Sequence, residues 1–77
     1  MSMQDELKEE LIQTDAEFRR LYEEHLDYKR RLQEIQQKTL PSQEDEVEEK
    51  RIKLHKLMLK DQMEAILRIH RESRVSA

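Results

Sequence analysis

One seam constrains this chain more than any other feature. Leu7, Leu11, Thr14, Phe18, Leu21, His25, Tyr28, Leu32 and Ile35 follow one another at alternating spacings of four and three. That rhythm places all nine on one stripe of an α-helix, facing a partner helix. Thr14 and His25 make the stripe partly polar. A seam of this kind dictates how a chain packs and says little about any chemistry it performs.

The partner has to come from the second half. Pro41 removes a backbone donor and biases Leu40 away from helix, so the first helix should end near Lys38. Ser42 followed by Asp45 reads as a capping box, and Glu44, Asp45 and Glu46 complement the dipole of a helix that starts there. The expected fold is all-α: an antiparallel, coiled-coil-like helical hairpin, residues 1–77 as a single domain. Its helices are expected over about 4–38 and 43–72, with a turn at 39–42 and a frayed tail at 73–77. Thr14-x-x-Glu17 is a second capping box that admits a bend or break. The seam runs through Thr14 in register, which favours one continuous helix.

Charge supports folding back at Pro41. Residues 1–27 carry nine acids against three bases, and residues 50–77 carry three acids against eight bases. In a hairpin these blocks lie side by side and set orientation and register.

The second helix is apolar on more than one stripe. Ile52, Leu59, Met63 and Ile66 share one face. Val47, Leu54, Met58, Ala65 and Ile69 form what reads as an adjacent stripe. Leu57 and Leu67 fall outside both. The expected hairpin core joins Phe18, Leu21, Tyr28 and Leu32 to Leu54, Leu59, Met63 and Ile66. One partner helix cannot cover the rest, and a 77-residue hairpin buries less apolar area than offsetting its conformational entropy requires. Leu54, Met58, Ala65 and Ile69 are therefore an expected association face. A homo-oligomer follows, a dimer first of all, pairing into a four-helix bundle.

Composition excludes several classes of function. With no glycine there is no phosphate-cradling loop, and with no cysteine no disulfide, thiolate metal site or cysteine nucleophile. No apolar run approaches a membrane span, and the first residues lack the regions of a signal peptide, so the expected location is a reducing cytoplasm. No nucleophile–base pair is recognisable, and neither enzymatic activity nor a cofactor is expected.

Two constellations carry a sharper alternative. His25, with His55 expected nearby on the other helix and Asp27 close by, could ligate a metal. A polar pair used for register is the simpler account, since no third convergent ligand is evident. Lys50, Lys53, Lys56, Lys60, Arg68, Arg71 and Arg74 could contact nucleic acid phosphates. A formal charge of −3 and the lack of aromatics interleaved with the run weigh against this.

The segment Phe18-x-x-Leu21-Tyr22-x-Glu24-His25, with Tyr28 and Leu32, resembles the first helix of the YdcH-like family. Ile52-Lys53-x-x-Lys56-Leu57-x-Leu59-Lys60-Asp61, continuing to Met63, Ile66 and Leu67, is similar to that family's lysine-rich second helix. The resemblance covers about residues 15–70. Lys29 stands where the family usually has an acid. The family comprises small bacterial helical hairpins classed as a domain of unknown function. It implies a hairpin, often associating further, with no established activity. The expected function is that of a small interaction or adaptor protein working through an exposed apolar helix face. The alternative is a weak nucleic-acid-binding hairpin.

Overall fold

The computed structural model describes residues 3–75, with side chains from residue 5 to residue 73. The described chain is all-α, with α1 at Met3–Thr14, α2 at Ala16–Gln36 and α3 at Gln43–Val75. α2 and α3 form the antiparallel hairpin, and Tyr28 lies opposite His55 across it. The molecule extends 54 × 21 × 19 Å. That length is set by α3, whose 33 residues span about 50 Å at 1.5 Å per residue.

The turn between α2 and α3 is held by local chemistry. The Ser42 hydroxyl accepts from the Asp45 amide at 3.1 Å, and the Asp45 carboxylate accepts from the Ser42 amide at 2.9 Å. This reciprocal box satisfies two backbone donors that would otherwise lack partners. The Lys38 ammonium reaches the same carboxylate at 2.8 Å. That ammonium, followed by the Ser42 amide, holds the Asp45 carboxyl below its ordinary range.

The first helix is not continuous. Asp15 alone is extended, with φ −114° and ψ 110°, and it separates α1 from α2. The cap is Asp15 rather than Thr14: its carboxylate accepts from the Phe18 amide at 3.1 Å. Thr14 closes α1 instead, its hydroxyl donating to the Glu10 carbonyl. The Arg19 guanidinium donates to the Ile12 and Gln13 carbonyls at 2.8 Å each, satisfying acceptors at the end of α1.

Beyond the corner, α1 folds back over the hairpin. The Lys8 ammonium sits 5.8 Å from the centre of the Tyr22 ring. In one straight helix these residues would be about 21 Å apart along the axis. The reason lies in the partner. A straight α1 would set Leu11 beside residues 70–74, which include no apolar side chain, and leave Leu7 only Val75 at the last turn of α3. Folded back, both leucines are buried with Phe18, Leu21, Leu59, Met63 and Leu67.

This packing revises the expected core. Phe18, Leu21, Leu32, Leu59 and Met63 are buried, and Tyr28 and Ile66 are half-buried against them. Leu54 is 59% exposed and does not belong to the core. Leu67, on neither expected stripe, is buried because α1 covers it. A second cluster of Leu32, Ile35 and Ile52 lies toward the turn, and Tyr28 packs against both clusters. α3 runs past residue 72 to Val75, so the expected tail is helical that far. Ser76 and Ala77 lie outside the described residues.

Candidate association surface and polar grooves

α3 presents different surfaces around its circumference. Its buried residues Ile52, Leu59, Met63 and Leu67 face α2 and α1. At 100° per residue, the stripe of Val47, Leu54, Met58, Ala65 and Ile69 is centred about 150° away. It therefore lies largely on the far side of the helix, with Met58 at its margin beside the groove that α3 shares with α2. Val47 is 58% exposed, Met58 52% and Ile69 66%, and Ala65 is exposed as well. Leu57, 55% exposed, lies off its edge. The stripe from Val47 to Ile69 runs about 33 Å along the helix. Isolated exposed apolar residues are ordinary on proteins, but four large ones aligned along one side of a helix, even with Arg51 and Asp61 between them, suit a contact surface.

Among the described residues, two grooves between the helices bear on the site. One, of about 320 Å³, is lined by Arg20, Glu24, Tyr28, His55 and Met58. At its centre the Tyr28 hydroxyl and His55 Nδ1 share a hydrogen bond of 3.1 Å, and their rings meet edge to face at 5.2 Å. This polar contact lies where the two apolar clusters meet, so it helps define the register of α2 on α3.

The second groove, of about 250 Å³, lies between α1, α2 and α3 and is lined by Asp5, Lys8, His25, Lys60 and Glu64. His25 is half-buried there. Burial lowers its pKa below 6.5, and Lys56, Lys8, Lys29 and Lys60 lower it further. The expected pairing of His25 with His55 is replaced by Tyr28 with His55, and the two histidines open onto different grooves. Asp27 is exposed and its near partner is Arg30, at 4.0 Å. Among the described residues no three metal-ligating side chains converge.

The basic run of α3 is distributed around the helix. Lys53 pairs with Glu49 at 3.0 Å. Lys56 and Lys60 turn toward His25. Arg68 and Arg71 are exposed. The Arg74 side chain lies outside the described residues. Among the described residues no helix is long and apolar enough to cross a membrane.

The capping-box signal near Thr14 allowed a break, but what the sequence did not reveal is that α1 turns back at Asp15. The fork of Arg19 onto α1 and the approach of His70 Nε2 to the Asp15 carboxylate, at 3.8 Å, gather three helices at one point. The usable signals were the capping residues around Asp15 and the polar run of residues 70–74 in α3.

No curated protein and no solved structure matches the chain. A family model described as "Protein of unknown function (DUF465)" matches residues 18–67, which takes in nearly all of α2 and most of α3 and leaves α1 outside. With more than half its length inside that match, the chain belongs to the DUF465 family, with which the YdcH-like resemblance agrees.

Proposed function

We propose that the protein is a non-enzymatic helical interaction protein whose working surface is the solvent face of α3. It acts as a homo-oligomer, a dimer first of all, and serves as an adaptor for another protein in the cytoplasm. The observation that carries this is the band of Val47, Leu54, Met58 and Ile69, each more than half exposed on a helix whose opposite face already holds the core. Leaving such a band in water forgoes about 25 cal/mol for each Å² that a partner would cover.

Sedimentation over a range of concentrations tests it, with Met58→Glu beside the wild type. The wild type is expected to associate, and its unfolding midpoint to rise with concentration. Met58→Glu is expected to be a folded monomer, because it buries an unpaired charge only in the assembly. A wild type that stays monomeric at about 100 μM, with a midpoint independent of concentration, rejects self-association.

A second reading, weak nucleic-acid binding, draws on one observation. Lys8, Lys29, Lys56 and Lys60, from three helices, all bear on His25. Binding of that kind falls steeply with added salt, whereas apolar association survives it.

A further inference from the structure

Resting on that reading, we infer that the occupant of the α3 face is the α3 of a second copy, docked antiparallel with Met58 against Met58 on a two-fold axis.

The first support is the spacing of the band. Val47, Met58 and Ile69 are eleven residues apart, as are Leu54 and Ala65. Eleven residues over three turns is about 3.67 per turn, so the band runs nearly straight along the helix. It can therefore follow a straight partner along its whole length. A half-turn about Met58 exchanges Val47 with Ile69. Each copy then sets apolar layers at both ends and at the centre, while Leu54 meets Gln62 and Ala65 meets Arg51 of the other copy.

A parallel pair would match the apolar layers equally well. Charge separates the two. Glu46 lies twelve residues before Met58, and Arg68 and Arg71 lie ten and thirteen after it. At 100° per residue all three fall on the same flank of the band. A two-fold perpendicular to the helices brings like flanks together, so Glu46 of one copy meets Arg68 and Arg71 of the other. A parallel pair joins opposite flanks at equal height. Glu46 would then meet Glu44 and Glu48 of the other copy, a like-charge contact at close range. The helix dipoles also oppose in the antiparallel pair and align in the parallel one.

The placement of the band sets the shape of the dimer. Because most of the band faces away from α2, with only Met58 bordering the α2–α3 groove, the helices line up roughly as α2, α3, α3 and α2 in one layer. A compact four-helix bundle would need the association face beside the core face.

Spin labels test direction. The chain contains no cysteine, so Gln43→Cys and Ser73→Cys each give a single label at an exposed end of α3, outside the band. In the antiparallel dimer, like labels on the two copies lie about 45 Å apart for either variant, thirty residues at 1.5 Å each. In a parallel dimer both distances fall below about 20 Å, given helix axes 8–10 Å apart. Long distances for both variants support the inference. Short distances overturn it while leaving self-association in place. A wild type that sediments as a monomer overturns it too, and the adaptor reading then depends on a different protein covering the face. Mixing Met58→Glu with Met58→Lys should restore a dimer that neither forms alone. Failure of that rescue removes Met58 from the axis.

Discussion

The chain reverses direction twice, and the two reversals have different origins. The turn before α3 is written in adjacent residues: Pro41 stops one helix, Ser42 and Asp45 cap the next, and Lys38 closes over the box. The corner at Asp15 has a cap too, but its direction is imposed from outside. Leu7 and Leu11 find apolar partners only when α1 lies back across α2 and α3. A local turn should tolerate loss of core contacts, and a corner made by burial should not.

The largest expected effect is at Phe18, fully buried where all three helices meet. Phe18→Ala should cost about 3–5 kcal/mol in urea unfolding. A loss under about 1 kcal/mol, typical of surface sites, would mean that the corner has no real core. Next comes Leu11→Ala, at about 2–5 kcal/mol. Amide exchange should show residues 3–14 unprotected while α2 and α3 keep their protection. Equal loss of protection throughout would show α1 to be integral to the hairpin, not an addition to it.

The caps sharpen the contrast. Ser42→Ala and Asp15→Ala should each cost about 1 kcal/mol. The Asp15 variant should nonetheless keep its corner, since burial holds α1 back. Nuclear Overhauser contacts between Lys8 and Tyr22 report this directly, and their disappearance would make the corner a local feature after all.

The smallest effect is a pH dependence from His25. Its folded pKa lies below the ordinary 6.5, so the unfolded chain takes up the proton first. Stability from this group is fully present above 6.5 and is lost as pH falls from there through the folded value. His25→Gln should flatten that part of the stability curve. An unchanged slope would place the titration elsewhere.

Most of the hairpin was legible along the chain. The seam residues Phe18, Leu21 and Leu32 lie where their spacing puts them, and Ile52, Leu59 and Met63 meet them from α3. Leu54 was misplaced because spacing defines a stripe without saying which stripe a neighbour covers. Leu67 was missed because its cover comes from α1, sixty residues earlier in the chain. The histidines were mispaired because a small shift in register brings Tyr28 opposite His55.

The sequence by itself determined the helical character of both halves, the turn at Pro41 and Ser42, and the existence of surplus apolar residues on α3. Each depends on neighbours within one or two turns, where backbone donors, caps and side-chain spacing act directly. Tertiary structure alone decided that α1 folds back, that Leu67 is covered, and that Val47, Leu54, Met58 and Ile69 remain in water. Burial is a property of what packs against a residue, and that packing comes from segments the local pattern does not specify.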